Sequence, residues 1–281
     1  MIKRFVLILS TLILMFPIYW MVVGSFMKLR DVIALPPTLL PRNPTLDNYD
    51  YYVHPSGGAD NSGVANLPEW VRNTVLLAVV CIVINVLITG TGAYSLAFIK
   101  PWGHRVIFWA FMAGVMVPGN VMFIARFVWF ARLGIMRLPI ALVLLYIFSP
   151  ATLFLARNYM LSIPGCLRDM ARLDGCGELR TFAHIVLPLC KPIVGVIAIG
   201  TGVAVLQDYL WQLITTEGGP YETLMVGIMR YVKYIRSVDG TQLNGMGIML
   251  AGGVILMVPV LVVFWFGQRN FRGGMIKGAV R

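Results

Sequence analysis

Asp208 lies in the middle of a long apolar run, and its neighbours Gln207, Tyr209 and Trp211 are an amide and two aromatic residues. Carboxylates, amides and aromatic faces are the groups that bind sugars, through hydrogen bonds and stacking. A carboxylate near the centre of a bilayer costs about 2.5–3.5 kcal/mol to insert, so it seldom faces lipid. These four residues are candidates for a solute pathway. The open alternatives are that Asp208 pairs with a neighbouring helix, and that Tyr209 and Trp211 belong to an interfacial aromatic belt.

A second group of candidates is basic. Arg126, Arg132 and Arg137 flank one connection between apolar runs. They predict an outer basic patch, which would attract the carboxylates of an acidic oligosaccharide. An acidic binding protein or lipid headgroups would use the same charges. Pro118-Gly119 comes before them and predicts a chain break, followed by a short amphipathic helix along the outer surface over about 120–133.

Several chemistries are not expected. The four cysteines have neither CxxC nor His/Cys ligand spacing, so neither a metal site nor a disulfide framework is predicted. The phosphate-binding pattern Gly-x-x-x-x-Gly-Lys-Ser/Thr is absent, so no nucleotide cofactor is expected on this chain. No basic patch is interleaved with stacking aromatics, which argues against nucleic acid. An intramembrane hydrolase would need paired catalytic groups, and Asp208 stands alone, so the chain is not expected to be an enzyme.

The elements that must position these residues follow from composition. The chain has 281 residues, of which 58% are hydrophobic and 12% charged, and its mean hydropathy is +0.79. Soluble domains carry about 25% charged residues, so a lipid-embedded chain is indicated. We predict an all-α polytopic membrane protein, a single transmembrane domain over 1–281, with about six transmembrane helices. The predicted spans are approximately 5–27, 71–98, 105–125, 138–161, 189–214 and 246–267.

The amino-terminal part of the chain consists of the first predicted span and the segment that follows it. The first span opens with two basic residues, Lys3-Arg4, as a signal peptide does. Its apolar run is too long for a signal peptide and no small-residue cleavage site follows it, so we expect an uncleaved span. The next segment, 28–70, is rich in proline and glycine. It is predicted to be an extracytoplasmic loop without a core of its own.

The positive charge is unevenly distributed along the chain, whose net charge is +11. An even number of spans places both termini on one side of the membrane, and cytoplasmic segments carry the excess of Lys and Arg. With the termini inside, most of the excess lies on the cytoplasmic side, at Lys3, Arg4, Lys100, Arg105, Arg157, Arg168, Arg172, Arg180, Lys191, Arg269, Arg272, Lys277 and Arg281. We therefore predict a multi-pass protein with both termini in the cytoplasm.

In this topology the segment 162–190 is a cytoplasmic loop. Pro164-Gly165 ends the fourth span, and 166–173 has a composition compatible with a helix. Gly175 and Gly177 permit a sharp turn with positive φ. A second helix can start at Glu178 and approach the next span at Pro188. A helical hairpin of this kind suits docking to a soluble partner.

This loop resembles the hallmark of ABC importer permeases, which reads Glu-Ala-Ala, three residues, Gly, nine residues, Ile, one residue, Leu-Pro. The matching positions are Asp169, Met170, Ala171, Gly175, Ile185, Leu187 and Pro188, with Asp174 before the glycine as the family prefers. Two positions depart from the pattern. Asp169 keeps the charge of the usual Glu, whereas Met170 in place of Ala puts close packing there in question.

The resemblance implies that the loop forms a cytoplasmic coupling helix that sits in a cleft of an ATPase subunit. It also implies a set of partners: a second permease subunit, two cytoplasmic ATPase subunits that carry the ATP and Mg, an extracytoplasmic solute-binding protein, and the lipid of a bacterial cytoplasmic (inner) membrane. ATP-driven closure of the ATPase subunits would then turn the pathway outward.

Three further segments resemble the carbohydrate branch of these permeases, and among them the smaller permease subunit of the maltose transporter. They are 40–49, 206–211 and 271–280. Leu206, Gln207 and Gln212 depart from that branch's pattern. The implied function is import of a sugar or oligosaccharide, with an acidic one as the sharper hypothesis. The alternative in the same class is a non-sugar solute such as a polyamine or phosphate ester.

Overall fold

The computed structural model describes residues 2–34, 36, 38–53, 66–119, 121–238 and 245–278, with the side chains at 2, 29, 235–238 and 266–278 excepted. Within these ranges all regular structure is helical, which confirms the predicted all-α class. The helices are α1 Ile2–Gly24, α2 Leu29–Val32, α3 Asp47–Val53, α4 Leu67–Tyr94, α5 His104–Met116, α6 Val121–Arg132, α7 Pro139–Tyr146, α8 Pro150–Leu161, α9 Cys166–Leu173, α10 Glu178–Thr181, α11 Leu187–Leu189, α12 Lys191–Gln207, α13 Leu210–Thr216, α14 Leu224–Val238 and α15 Gly245–Gly278, with π-helical turns at Ser95–Ile99 and Phe182–Val186.

Up to six of these helices or helix pairs can cross a membrane. Three continuous stretches in the described residues are long and apolar enough, namely Lys3–Gly24, Leu67–Ile99 and Gly245–Trp265. Three bent pairs also qualify by length and composition: α5 with α6, α7 with α8 at 44°, and Glu178–Leu189 with α12 at 81°. In the last pair, Glu178–Leu189 belongs to the segment predicted to be a cytoplasmic loop, which leaves α12 as the spanning part. The predicted break after Pro118-Gly119 is present, and α6 covers the predicted amphipathic helix. Membrane spans can bend in this way where neighbouring groups satisfy the freed backbone.

The described residues fall into two compact units. The first combines Met1–Asn73 with Thr216–Val260, and the second combines Thr74–Thr215 with Leu261–Arg281. In the segment 271–280, the structure describes only the backbone, and only as far as residue 278.

In the first unit, the segment after α1 is fastened to the end of that helix. The Asn48 side chain donates hydrogen bonds to the carbonyls of Ser25 at 2.8 Å and Met27 at 3.0 Å. Tyr52 on α3 is buried, and its hydroxyl donates to the Ile248 carbonyl at 3.0 Å. Carbonyls at a helix end need such partners because the helix itself supplies none. Asn48, which lies in the segment 40–49 that resembles the carbohydrate branch, therefore has a structural role, because it binds the carbonyls that follow α1.

An ion pair with a buried carboxylate joins α14 to the start of α4 in this unit. Arg230 on α14 contacts Glu222 with two nitrogens at 2.7 Å each, and the Trp70 indole donates to the same carboxylate at 3.0 Å. Trp70 packs where Gly227 has no side chain, since a Cβ there would lie 2.2 Å from the indole. Charge pairing and hydrogen bonds together make burial of the Glu222 carboxylate tolerable.

The second unit contains the predicted functional residues. Its main core cluster joins α4, α8 and α12 to the π-helical turn at Phe182–Val186. Phe182 and Val186 are buried in this cluster, so the segment after Gly175 is anchored to the spans by packing. A smaller cluster surrounds Tyr146 and Val205.

Candidate functional site

The helix α9 of the predicted coupling loop has two different faces. Ala171 is buried, whereas Met170 is exposed and Leu173 is 87% exposed. Met170 and Leu173 are three residues apart and so lie on one side of the helix. The methionine that replaces the usual alanine is therefore on the open side and does not disturb the packing of Ala171. Leu179, just beyond the turn, is also exposed and extends the apolar character of this loop.

The turn that follows α9 depends on Gly175. Its φ is +75°, in the left-handed region that glycine adopts most readily. The Gly175 N–H donates to the Arg172 carbonyl at 3.1 Å, and the Cys176 N–H donates to the Ala171 carbonyl at 2.9 Å. This pair of bonds is a Schellman motif, a common helix ending with glycine at this position. The predicted positive φ is thus confirmed for Gly175.

Gly177 does not use the positive φ that its residue type permits. Its φ is −70° and its ψ is 163°, an extended conformation open to any residue. One left-handed residue is enough to complete the Schellman motif, so Gly177 can take the extended conformation of the N-cap of α10.

Glu178 at the start of α10 ties the loop to α4. The Tyr94 hydroxyl donates to this carboxylate at 2.5 Å, and the Arg172 guanidinium pairs with its other oxygen. Hydrogen bonds from Tyr94 and then Arg172 lower the pKa of Glu178, because both favour the charged form. Arg168 also ties the loop to this region, since its guanidinium donates to the carbonyl of Phe98, in the π-helical turn that follows α4, at 2.8 Å.

The other predicted loop residues occupy different environments. Asp169 is largely exposed on α9, with its carboxylate 3.8 Å from Arg168. Asp174 ends α9 and is exposed. Ile185 and Leu187 are partly buried, and Leu187 packs against the main core cluster. Pro188 is exposed in the first turn of α11, where a missing N–H costs no hydrogen bond. Sequence reasoning did not single out Tyr94 or Phe182, and it named Glu178 only as a helix start, because no local pattern predicts their contacts with distant residues.

The predicted solute-pathway residues lie at a break in the helix. α12 ends at Gln207, Asp208 is extended, and α13 begins at Leu210. A cleft of about 400 Å³ opens beside the break, and it is lined by residues that include Gln207, Asp208, Tyr209, Trp211 and Arg126. This volume falls within the range of about 300–1,000 Å³ typical of ligand pockets. The break therefore brings together four predicted residues that an unbroken helix would point in different directions.

Asp208 and Trp211 also have structural partners. The Asp208 carboxylate accepts from the Tyr146 hydroxyl at 2.8 Å and from the Trp211 backbone N–H at 3.1 Å. The Trp211 indole donates to the Ala141 carbonyl at 3.1 Å, and its side chain is 2% exposed. Trp211 thus forms a wall of the cleft and has little free ring face. Asp208 has both carboxylate oxygens engaged, although each oxygen can accept a further bond.

Trp211 also holds α6 in place. Phe123 and Phe130 contact its ring edge-on, with centroids 6.0 and 5.2 Å away. Because these two residues are seven apart on α6, they share one face of that helix. Arg126 between them reaches the cleft, whereas Arg132 and Arg137 are exposed and are not among its lining residues.

An all-α chain with up to six spans, a helical loop fastened to the spans and a cleft at a helix break has the architecture of a membrane permease. The chain belongs to the family described as binding-protein-dependent transport system inner membrane component, which it matches over residues 87–272. This membership makes it a multi-pass component of an inner-membrane transport system.

Similar curated proteins are named as permease proteins, and a solved structure shares the fold. The chain is 28% identical over 271 residues to the arabinooligosaccharides transport system permease protein AraQ of Halalkalibacterium halodurans, covering 96% of this chain and 92% of that one. It is 26% identical to the sn-glycerol-3-phosphate transport system permease protein UgpE of Brucella suis, covering 99% and 96%. Its fold matches a chain from the crystal structure of a bacterial ABC transporter involved in the import of the acidic polysaccharide alginate, with a TM-score of 0.79, 18% identity, and coverage of 96% and 95%.

Proposed function

We propose that this chain is a permease subunit of an ATP-driven, binding-protein-dependent importer of a sugar or oligosaccharide. It would act with a second permease, two ATPase subunits that bind ATP and Mg, and an extracytoplasmic solute-binding protein, with both of its own termini in the cytoplasm. The family match and the names of relatives such as AraQ support this proposal. The chain itself would bind no cofactor.

The observation that carries the proposal is the exposed apolar side of the coupling loop. Met170, Leu173 and Leu179 are exposed on a segment that is held by the Gly175 turn and by the buried Phe182. Burying one such side chain against a partner contributes roughly 1.5–3 kcal/mol. A loop that is fixed in shape and apolar on its open side suits an ATPase surface cleft.

Docking can be tested with a pair of matched variants. Leu173→Asp should strip the ATPase subunits from the purified complex and abolish uptake, because it puts a charge into the contact. Leu46→Asp is the control, since Leu46 is also exposed but lies in the segment predicted to be extracytoplasmic. Full ATPase retention by Leu173→Asp would refute the docking role of this face.

The solute is proposed to pass the cleft beside Asp208. Its lining offers one cationic, one anionic and one amide group, at Arg126, Asp208 and Gln207. Arg126 suits the carboxylate of an acidic oligosaccharide, because guanidinium–carboxylate bonds are charge-assisted. Of the three predicted outer arginines, we therefore assign the solute-facing role to Arg126.

The experiment is ATP hydrolysis by the reconstituted complex in the presence of arabinotriose, trigalacturonate or glycerol 3-phosphate. Stimulation by trigalacturonate, weakened roughly fivefold or more by Arg126→Gln and little changed by Arg132→Gln, is expected because one charge-assisted bond is lost. Stimulation by arabinotriose alone would refute the acidic specificity. Stimulation by glycerol 3-phosphate alone would refute the carbohydrate assignment.

A further inference from the structure

Two helix breaks in the second unit have their freed carbonyls satisfied by buried amides. α7 ends at Tyr146, whose carbonyl accepts from the Asn85 side chain at 3.0 Å. In an unbroken helix the Val205 carbonyl would accept a hydrogen bond from the backbone N–H of Tyr209. In this structure it accepts one from the Gln212 side chain instead, at 2.6 Å. Asn85 and Gln212 are both buried. Each amide therefore replaces a helical hydrogen bond that the break removes, as an apolar surrounding demands.

The Tyr146 hydroxyl joins the two breaks. It donates to one oxygen of Asp208 at 2.8 Å and accepts from the Gln212 side chain at 3.2 Å. Asp208 in turn accepts from the Trp211 N–H with its other oxygen. A carboxylate held from both oxygens has little freedom to rotate, so its remaining lone pairs point in fixed directions.

Tyr146 itself is almost fully buried and is not among the residues that line the cleft. Any influence it has on a bound solute must pass through Asp208, which does line the cleft. The hydroxyl is the only group on this side chain that distinguishes it from phenylalanine. The contact can therefore be removed by deleting one oxygen atom, with the aromatic packing kept.

We propose that Tyr146 is a positioning residue for the solute cleft, which orients the Asp208 carboxylate and couples the break after α7 to the break after α12. This inference rests on the proposed function, because it requires that solute contacts Asp208. Gln212 is part of the same arrangement, since its amide holds both the Tyr146 oxygen and the end of α12.

The test is uptake of arabinotriose and trigalacturonate by proteoliposomes that contain the full complex. Tyr146→Phe, Asp208→Asn and the double variant are compared with the unaltered complex. If Tyr146 acts through Asp208, Tyr146→Phe raises KM roughly 10-fold or more, as expected for one hydrogen bond to a charged group, and leaves the maximal rate within about twofold. The double variant is then no worse than Asp208→Asn.

Tyr231→Phe is the matched control. It also deletes one buried hydroxyl, which donates to the Tyr51 carbonyl at 2.7 Å in the first unit. Its KM should equal that of the unaltered complex, and the amount of inserted protein is measured for every variant. Equal losses in Tyr146→Phe and Tyr231→Phe, confined to insertion or maximal rate, would show a structural role and overturn the inference.

The remaining outcomes separate this inference from the proposed function. An unchanged KM in Tyr146→Phe, together with a raised KM in Asp208→Asn, overturns the positioning role and leaves the cleft assignment standing. An unchanged KM in Asp208→Asn removes the cleft from the pathway, and the positioning role is overturned with it.

Discussion

Replacing Gly175 by threonine is expected to disconnect the coupling loop from transport. A Cβ at this position would meet no atom within 4 Å, so the substitution introduces no clash. The whole cost lies in the backbone, because φ is +75°. A residue with a side chain pays about 1–2 kcal/mol in the left-handed region, which lowers the equilibrium constant for forming the native turn roughly 5- to 30-fold. Uptake should fall by up to this factor.

Gly177 supplies a matched control two residues away. It also has open space around it, but its φ is −70°, which threonine adopts without strain. Gly177→Thr is therefore expected to transport normally, and its hydroxyl can cap α10. Gly175→Asn should be intermediate, because asparagine tolerates the left-handed region better than other residues with side chains.

The assay is uptake and ATP hydrolysis by the reconstituted complex, normalised to the amount of complex inserted. Normal uptake by Gly175→Thr would refute the role of this turn. Equal losses in Gly175→Thr and Gly177→Thr would also refute the backbone argument, because only one of the two positions requires positive φ.

Two further substitutions test the packing that supports the site and the fold. Tyr94→Phe removes a hydrogen bond that lowers the pKa of Glu178 below its ordinary value of 4.5. This lowering stabilises the folded protein at pH values above 4.5. The stabilisation is lost as the pH falls through the lowered pKa, where the carboxylate becomes protonated. The unfolding temperature of the purified protein should therefore depend less on pH in this acid range for Tyr94→Phe than for the unaltered chain, and an identical pH profile would contradict the contact. Gly227→Ala should destabilise the protein by roughly 1–3 kcal/mol, because its Cβ would lie 2.2 Å from Trp70. Gly200→Ala, in a helix position with open space, should not destabilise it, and equal denaturation midpoints for the two variants would contradict the packing argument.

The parts of the structure that sequence could predict are those set by local pattern. Long apolar runs gave the spans, and Pro118-Gly119 gave the break before α6. Gly175 was predictable because an Asp-Gly pair after a helical segment favours a left-handed ending. Gly177 shows the limit of this argument, since the residue type permits a positive φ without requiring one.

The parts that sequence could not predict depend on contacts between distant segments. No proline or glycine marks the break at Asp208. Its stability comes from Tyr146, 62 residues away, and from the Gln212 amide that replaces a lost helical bond. Trp211 was predicted from its type as a pathway or belt residue, and the structure buries it through its bond to the Ala141 carbonyl. Such pairings need the three-dimensional arrangement, because each partner alone is unremarkable in sequence.

The internal pairing of charges in the coupling loop has a consequence for the durability of the complex. Arg172 is occupied by Glu178, and Arg168 by the Phe98 carbonyl, so neither is needed to hold a partner. The side chains that remain open around α9 include the apolar Met170 and Leu173 together with the acidic Asp169 and Asp174. Salt weakens interactions between exposed charges, with a screening length that falls from about 10 Å at 0.1 M to about 3 Å at 1 M, whereas it does not weaken apolar contact. An ATPase subunit seated on Met170 and Leu173 is thus expected to stay bound in concentrated salt and to be released by chaotropes such as urea.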